Sequence, residues 1–170
     1  RLAARRRYRQ SVGPPSSFRR PAPPRAASLP QPVFPPREAL VERDGGEVWL
    51  NILEHRKSWR PDWEWECEPG GPWSHLRRFH LQYMEWCEGL TSGEFEAAVD
   101  GWIKAHPAYG AGYWVDAWSS YVISLRSVVW MQQLASRSDL DGDFVERAIA
   151  SIVQQLRVLD DHLELDVRGN

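Results

Sequence analysis

The sequence predicts an all-α fold of about two helical hairpins, preceded by an extended segment rich in proline and arginine. Nine of the 13 prolines lie within residues 1–46, where they prevent a regular helix. From residue 74 onward, apolar residues recur at spacings of three and four, which is typical of amphipathic helices. No run shows a clean two-residue alternation, so no strand is expected. A bundle, a solenoid and an αα-toroid all fit this pattern.

The N-terminal segment is strongly basic, although the net charge of the whole chain is only −2. Residues 1–37 contain nine arginines and no acidic residue, whereas residues 38–170 contain 12 basic and 23 acidic residues. We interpret residues 1–46 as a disordered, basic, proline-rich linker, because such a composition cannot form a core. A basic arm can also bind anions. Nucleic acid is not an expected partner, since few aromatic residues are interleaved with the arginines.

Residues 47–73 are predicted to form an irregular lead-in whose indole rings pack onto the helices that follow. Glycine and proline interrupt this stretch, and its tryptophans are Trp49, Trp59, Trp63, Trp65 and Trp73. The first helix is expected to begin near Ser74. Its apolar stripe consists of Leu76, Phe79, Tyr83, Trp86 and Leu90.

The second helix has a recognisable start and a recognisable end. Thr91 and Glu94 fit a capping box, in which each side chain accepts a hydrogen bond from the other residue's backbone N–H. The helix is expected to end near His106, because the residue before Pro107 avoids the helical region. Its inward residues are Phe95, Val99, Trp102 and Ile103.

Two further helices are predicted in the C-terminal third. The third spans about residues 118–136, and its inward residues are Tyr121, Val122, Leu125, Val128 and Val129. Asp139 or Asp141 caps the fourth helix. The apolar stripe of the fourth helix consists of Phe144, Ile149, Ile152, Val153, Leu156, Leu159 and Leu163.

Several classes of protein and site are not indicated. Two cysteines are too few for a disulfide framework; Cys87 is expected to be a core thiol, and a bridge to Cys67 stays open. No stretch reaches the roughly 18 apolar residues of a membrane-spanning helix, so no membrane span is expected. No zinc, phosphate-loop or Ser-His-Asp pattern is present. No signal peptide is visible in residues 1–20.

A group of aromatic and polar residues at fixed spacing carries a resemblance to a known family. Its members are Trp118, Tyr121, Ser124, Arg126 and Trp130, and they are preceded by Trp102, Ile103, His106 and Pro107. With this motif, residues 47–170 resemble the N-terminal helical domain of the heparinase II/III-like polysaccharide lyases. The family has an asparagine before its last tryptophan of this motif, where this chain has Val129.

Two outer segments extend the resemblance. Trp73 followed by residues 79–83 is similar to the family's opening motif, with the histidine one place earlier. Residues 162–170 are similar to a run that ends in Gly-Asn-His in the family, and this chain ends at Asn170. We therefore interpret the chain as the N-terminal part of a longer protein.

The resemblance implies both a fold and a reaction. Residues 47–170 would form the N-terminal part of an incomplete αα-toroid, which would pack on a C-terminal β-sandwich that this chain lacks. The implied activity is β-elimination of uronic-acid-containing glycans, so the expected partner is an anionic polysaccharide, and no cofactor or metal is expected. A base removes the C5 proton, and a Tyr or His protonates the leaving oxygen. The resemblance also favours a periplasmic or secreted location.

Asn170 is the candidate catalytic residue, because it matches the family's asparagine that holds the uronate carboxylate. An amide suits this role, since it donates hydrogen bonds without titrating and stabilises the charge that develops. A helix C-cap is the alternative interpretation of Asn170. The family's downstream His and Tyr catalysts are not in this chain, so we expect the 170-residue chain to be inactive alone.

The candidates for substrate binding are His80, Tyr83, Trp118, Tyr121 and Arg126. Aromatic rings can stack on the apolar faces of sugars. A guanidinium can bind a uronate or a sulfate through two hydrogen bonds. Core packing is the alternative for the rings, and Arg126 can instead pair with Glu164 or Asp166. The alternative function is a non-catalytic glycan-binding or scaffolding module.

Overall fold

The computed structural model describes residues 40–63, 65, 74–108 and 116–161. Within this part of the chain, three β-strands come first and four α-helices follow. The fold is therefore mixed α/β, and the prediction of an all-α fold built as a toroid is wrong. The helices occur where the spacing of apolar residues predicted them.

The strands form one antiparallel sheet in the order β1 (Val41–Asp44), β2 (Glu47–Ile52) and β3 (His55–Trp59). A two-residue turn of Gly45 and Gly46 joins β1 to β2, and their φ angles are +59° and +84°. Two positive φ angles are the geometry of a type I′ hairpin turn, which glycine adopts without steric cost. The turn therefore follows directly from the sequence.

The turn between β2 and β3 has the same geometry but lacks glycine. Leu53 has a φ angle of 47° and Glu54 a φ angle of 62°. Positive φ angles are uncommon for such residues and cost about 1 kcal/mol or more each. The pairing of Ile52 with His55 across the turn holds the two residues in this conformation.

The sheet escaped prediction because its middle strand carries a tryptophan on its outer face. Val48, Leu50 and Ile52 are buried at every second position, as expected of a strand with one face on the core. Trp49 lies between them on the outer face, where the guanidinium of Arg56 stands 4.2 Å from the centre of its ring. An apolar residue at that position obscures the alternation of apolar and polar residues.

Helix α1 (His75–Tyr83) is shorter than the predicted first helix. Ser74 caps its first turn, and Met84 ends it by adopting a left-handed φ angle of 56°. A short 3-10 helix (Glu85–Gly89) follows and turns the chain. The predicted apolar stripe is wrong at its first member, since Leu76 is 57% exposed.

Helix α2 (Ser92–Ala105) begins and ends where the sequence indicated. Thr91 accepts a hydrogen bond from the backbone N–H of Glu94, and Glu94 accepts one from that of Thr91. The predicted capping box is therefore confirmed. The helix ends at His106, directly before Pro107, as predicted.

Two contacts of β1 help to tie the sheet to the helical part. Both terminal nitrogens of Arg43 donate to the carboxylate of Glu94, at 2.7 and 2.8 Å. The hydrogen bond from Arg43 lowers the pKa of Glu94 to about 2. Val41 packs so closely on Gly89 that a Cβ atom added there would lie 2.8 Å from the Val41 Cβ. Glycine is therefore required where the sheet meets the 3-10 helix.

Helices α3 (Ser120–Ser136) and α4 (Gly142–Asp161) pack against each other. The carboxylate of Asp141 accepts a hydrogen bond of 2.8 Å from the backbone N–H of Phe144, so Asp141 is the cap of α4. The stripe predicted for α4 ends at Leu163, which lies outside the described residues.

The inward face of α3 differs from the predicted one. Tyr121 and Val128 were expected to be buried, but they are 59% and 47% exposed. The buried face of α3 lies on a different side of the helix from the predicted one, and a charged residue, Arg126, is at its centre. The buried residues of α3 are Val122, Ile123, Arg126, Ser127, Val129 and Trp130.

Indole rings fill the centre of the protein. Trp86, Trp102 and Trp130 are each at most 1% exposed. The Trp102 and Trp130 rings meet edge to face at 5.4 Å. Trp59 and Trp65 lie 6.0 Å from Trp86, so these two indoles of the lead-in pack on the helical part as predicted.

Some predictions of organisation extend beyond the described residues. β1 lies inside the range 1–46, so the end of the predicted linker is a paired strand, whereas residues 1–39 are outside the described residues. Cys87 is a free, buried thiol, and Cys67 is outside them. Among the helices of the described residues, none has the length and apolar composition needed to span a membrane.

Glu54→Gly is expected to stabilise the protein by about 1 kcal/mol, because glycine adopts the positive φ angle of 62° without steric cost. Glu54 is exposed, so few contacts are lost. The free energy of unfolding in urea measures the effect. Gly46→Ala in the other turn, at a φ angle of +84°, is expected to destabilise the protein. A Glu54→Gly protein less stable than the parent would contradict this turn geometry.

Candidate functional site

Three of the five predicted substrate-binding residues meet on one face of the structure. His80 and Tyr83 lie on α1, and Tyr121 lies in the first turn of α3. The ring centroids of His80 and Tyr83 are 4.9 Å apart, and those of Tyr83 and Tyr121 are 5.8 Å apart. Phe79 extends the row, at 6.3 Å from Tyr83. We call these four residues the aromatic face.

The aromatic face results from helix geometry and from the packing of α1 on α3. Residues three and four positions apart share one side of a helix, so Phe79, His80 and Tyr83 are neighbours. Ser119 caps α3 and so fixes the start of the helix that carries Tyr121. Tyr83 is only 5% exposed, whereas Tyr121 is 59% exposed. The row therefore combines a buried ring, that of Tyr83, with a ring that solvent can reach, that of Tyr121.

The phenol of Tyr83 keeps its proton at neutral pH. Burial raises the pKa of Tyr83, and electrostatic interactions with Tyr121 and Glu85 raise it further. A protonated phenol donates a hydrogen bond and does not act as a base. The aromatic face therefore offers apolar ring surfaces together with hydrogen-bonding groups, a combination that suits an oxygen-rich ligand such as a sugar.

A charged cluster flanks the aromatic face at the N-terminal end of α1. The Nε of Arg78 donates to Asp116 Oδ2 at 2.7 Å, and His75 Nε2 lies 3.2 Å from Asp116 Oδ1. The ring of His75 lies 4.3 Å from that of Phe79. This cluster ties α1 to the chain before α3 and places an imidazole next to the aromatic face.

A small cavity is lined in part by His80. Its volume is about 260 Å³, and it opens between the β2–β3 turn, α1 and the 3-10 helix. Its lining residues are Leu40, Asn51, Ile52, Leu53, His80, Glu85 and Trp86. We call it the turn cavity. His80 belongs both to this cavity and to the aromatic face.

Arg126 lies in the core and not on the aromatic face. Its side chain is fully buried. Its Nε donates to Gln155 Oε1 at 2.8 Å, and its two terminal nitrogens donate to the backbone oxygens of Gln82 and Ala117, at 3.1 and 2.8 Å. The guanidinium also stands 3.9 Å from the centre of the Trp102 ring. This position gives Arg126 a structural role and no access to a glycan.

Neutral groups surround the Arg126 guanidinium in the part of the chain that the structure describes. Its hydrogen-bond partners are an amide and two carbonyl groups, and no carboxylate is among them. Glu164 and Asp166, the predicted partners, lie outside the described residues. Burial lowers the pKa of Arg126. Carbonyl dipoles and the negative face of Trp102 therefore stabilise the cation.

Trp118 also belongs to the core. It is 4% exposed, and its Nε1 donates to the backbone oxygen of His106 at 3.2 Å. Its ring lies 5.7 Å from that of Trp102. The structure therefore does not bring Trp118 to the aromatic face, and the predicted substrate-binding set narrows to His80, Tyr83 and Tyr121.

His106 is held in its neutral form by a chain of hydrogen bonds. The indole of Trp102 can only donate, and it donates to Gln82 Oε1 at 2.7 Å. The amide nitrogen of Gln82 therefore faces His106 Nε2, at 3.3 Å, and the imidazole must accept there. The proton of His106 then lies on Nδ1, 3.1 Å from the Trp102 carbonyl oxygen. Burial, with a smaller effect of Arg126, lowers the pKa of His106 to about 4.

Sequence reasoning missed Gln82 as the residue that links these groups. The available signal was a polar residue directly between two apolar ones, Leu81 and Tyr83. Asn170, the predicted catalytic residue, lies outside the described residues. Among the described residues, no group of three or more His, Cys, Asp and Glu side chains is arranged to hold a metal ion.

Comparison with known proteins does not supply a family. No family model matches the chain, and no curated protein or solved structure matches it either. The resemblance to heparinase II/III-like lyases therefore stays a hypothesis that rests on the sequence motifs.

Arg126→Met is expected to destabilise the protein by at least about 3 kcal/mol, because each of three buried oxygen acceptors left without a donor costs about 1 kcal/mol or more. Arg126→Lys should have an intermediate effect, since one ammonium cannot reach all three oxygens. Arg147→Met is the control, because the ion pair of Arg147 with Asp100 is exposed. Urea unfolding measures all three. Equal unfolding midpoints for Arg126→Met and Arg147→Met would refute the structural role.

Stability is expected to fall as the pH drops from about 7 to about 4, through His106. Its pKa is about 4 in the folded protein, against an ordinary value of 6.5. Between these values the unfolded chain binds a proton that the folded protein does not bind, which costs at most about 3 kcal/mol of stability. Below about pH 4 both states are protonated, so this loss is complete.

His106→Gln is expected to flatten this part of the pH dependence, because glutamine does not titrate. Urea unfolding at several pH values between about 7 and 4 measures the slope in the parent and in the variant. Glu94, whose pKa is about 2 in the folded protein against an ordinary value of 4.5, adds a slope of its own below about pH 5, and this slope is the same in the parent and in the variant. Equal slopes in the two proteins would contradict a neutral, buried His106.

Proposed function

We propose that this chain forms part of the substrate-binding region of a lyase that cleaves uronic-acid-containing polysaccharides by β-elimination. The observation that supports the proposal best is the convergence of His80, Tyr83 and Tyr121 from two helices into one row of rings. His80 and Tyr83 share a face of α1 because they are three positions apart, whereas the contact of Tyr83 with Tyr121 depends on the packing of α1 on α3. The family resemblance of the motif around Tyr121 supplies the reaction.

The aromatic face would bind the glycan through ring contacts and neutral hydrogen bonds. A sugar ring presents an apolar face of C–H groups, which packs well on an aromatic ring. Tyr121 is the accessible ring for such a contact, with 59% of its surface exposed. The imidazole of His80 would bind hydroxyl groups, whereas Tyr83, only 5% exposed, contacts both His80 and Tyr121 and holds them in place. Such contacts orient the glycan for the reaction without taking part in the reaction.

The proposed reaction needs groups of three kinds. A hydrogen-bond donor neutralises the uronate carboxylate, a base removes the C5 proton, and the bond from C4 to the leaving oxygen breaks to give a C4–C5 double bond. An acid then returns a proton to the leaving oxygen. Asn170 is proposed as the carboxylate donor. Tyr83 is a poor candidate for the base, because its pKa is raised.

A non-catalytic glycan-binding module is the second candidate function. It is favoured by the raised pKa of Tyr83, since a phenol that keeps its proton does not start an elimination. The two candidates differ in one measurable product. β-Elimination creates an unsaturated uronate that absorbs ultraviolet light, whereas binding alone creates none.

Tyr121→Ala is expected to raise the Kd for a glycan hexasaccharide three- to tenfold, which corresponds to the loss of about one aromatic stacking contact. Isothermal titration calorimetry with two hexasaccharides measures it: one alternates glucuronate with N-acetylglucosamine, and the other consists of uronate only. Met131→Ala is the matched control, because Met131 is 44% exposed on the same helix. Absence of saccharide binding, or equal Kd values for both variants, would refute the binding face.

The reaction is tested separately from binding. A polypeptide that contains this chain together with the proposed base and acid is incubated with the glycan, and the ultraviolet absorbance of the unsaturated product is recorded. A rise in absorbance that Asn170→Ala abolishes supports the lyase. Glycan binding without any rise in absorbance supports the non-catalytic module.

A further inference from the structure

We propose that α3 pairs in antiparallel orientation with the α3 of a second copy of this chain, through the outer side of the helix. We call Tyr121, Leu125, Val128 and Met131 the outer stripe of α3. The inference goes beyond the proposed function and does not depend on it. It follows from where the apolar and charged residues of α3 lie, from the order of the residues on its outer side, and from the charge of the rest of the chain.

Helix α3 carries its one charged residue inside and apolar residues outside. Arg126 is fully buried, whereas Tyr121, Val128 and Met131 are 59%, 47% and 44% exposed. Leu125 is partly exposed as well. A helix on the surface of a protein normally turns its charged and polar residues towards water and its apolar residues towards the core. The outer stripe is therefore typical of a helix that packs on both sides.

Helix α4 shows the usual arrangement and serves as a comparison. Its exposed residues include Asp143, Arg147, Arg157 and Asp160. Over its 17 residues α3 has no charged residue besides Arg126. The outer stripe covers an arc of about 120° on the helix, because successive residues are about 100° apart. An exposed apolar surface that continues along a whole helix marks a site of interaction.

The spacing of the outer stripe is that of a core-facing side. The sequence predicted Tyr121, Leu125 and Val128 to face inward, and packing within one chain leaves Tyr121 and Val128 exposed. A partner on the outer side would bury both. The apolar pattern of α3 is therefore satisfied by two packing partners, of which one lies outside the chain.

The outer side of α3 is complementary to itself when two copies pair in antiparallel orientation. In such a pair with Val128 at the twofold axis, a residue before Val128 faces the residue equally far after it. Tyr121 then meets Ala135, which places a large ring against a methyl group, and Leu125 meets Met131. Val128 meets its own counterpart. The positive end of each helix dipole also lies beside the negative end of the other.

The charges of the chain favour a second copy over other occupants. Residues 38–170 contain 12 basic and 23 acidic residues, so two copies repel each other where their charged surfaces meet. The outer side of α3 has no charge that would oppose contact. A helix that binds a membrane surface carries lysine and arginine beside its apolar side, and α3 has neither there. A charged peptide would find no partner for its charges on this side.

The size of the outer side predicts a weak and reversible dimer. A helix of 17 residues is about 25 Å long and about 10 Å wide. One pair of such helices buries less than about 1,200 Å², which is the lower end of stable, specific interfaces. We therefore expect a Kd of about 10–100 µM for the dimer.

Tyr121 belongs both to the outer stripe and to the aromatic face. A dimer would cover its ring, so self-association and glycan binding at Tyr121 exclude each other. At protein concentrations well below the Kd of the dimer the monomer predominates, and the ring is accessible. The glycan titrations of Tyr121→Ala and Met131→Ala are therefore done under that condition.

Sedimentation equilibrium of the full chain tests the dimer, at concentrations from about 1 µM to about 500 µM that bracket the expected Kd. We expect the average mass to rise from that of one chain towards that of two. Val128→Glu places two like charges opposite each other and is expected to raise the Kd at least about tenfold. Leu53→Glu is the matched control, since Leu53 is an exposed leucine in the β2–β3 turn. It should leave the Kd unchanged.

Oxidative cross-linking tests the antiparallel order. Val128→Cys is expected to form a disulfide-linked dimer, because its counterpart faces it within the roughly 7 Å that a disulfide spans between Cα atoms. Tyr121→Cys should not exceed the cross-linking of the parent chain, which keeps its own two cysteines. In the antiparallel pair its counterpart lies about 21 Å away along the helix. A parallel pair would cross-link both variants.

Several results would overturn the inference. They are a monomer at all concentrations, equal Kd values for Val128→Glu and Leu53→Glu, and equal cross-linking of Val128→Cys and Tyr121→Cys. Binding of the monomer to phosphatidylglycerol vesicles that Val128→Glu abolishes would overturn it too, because a membrane would then occupy the outer stripe. The glycan titrations are independent of all these results, so the proposed function is decided separately.

Discussion

The burial of the Arg126 guanidinium among neutral acceptors is the constraint on which the rest of the structure depends. Removing a cation from water costs several kcal/mol, and the protein has to return that energy through hydrogen bonds. The acceptors come from three separate parts of the chain: Gln82 on α1, Ala117 before α3 and Gln155 on α4. Arg126 therefore fixes α1 and α4 against α3. The contact between Tyr83 and Tyr121 depends on that arrangement.

Gln82 transmits this constraint to the other buried polar groups. Its backbone oxygen accepts from Arg126, while its side chain accepts from Trp102 and donates to His106. Each bond fixes the direction of the next, because an indole only donates and an amide has one donor end. A proton added to His106 would meet the amide N–H of Gln82. Acid is therefore expected to lower the stability of the core through His106, although no carboxylate is among the hydrogen-bond partners of Arg126 at its centre.

The boundaries of helix α2 depend on local sequence and were predicted, whereas the inward face of α3 and the sheet were not. The capping box at Thr91 and the helix end before Pro107 are local, and both were predicted. The inward face of α3 was not, because a buried arginine resembles a surface residue in any apolar pattern. The sheet was missed for the opposite reason, since Trp49 on its outer face resembles a core residue. The turn cavity depends on how the hairpin docks on α1.

The same helix separates the structural residues from the proposed binding residues. On α1, Leu81 and Gln82 face the core, whereas His80 faces the turn cavity. Arg126 is on the inner side and cannot meet a uronate. Under the proposed function, recognition on the outer side relies on ring surfaces and hydrogen-bonding groups, which select for the shape of a sugar more than for its charge. In that proposal the uronate carboxylate accepts its hydrogen bonds from a group outside the aromatic face, and Asn170 is the residue proposed for this role.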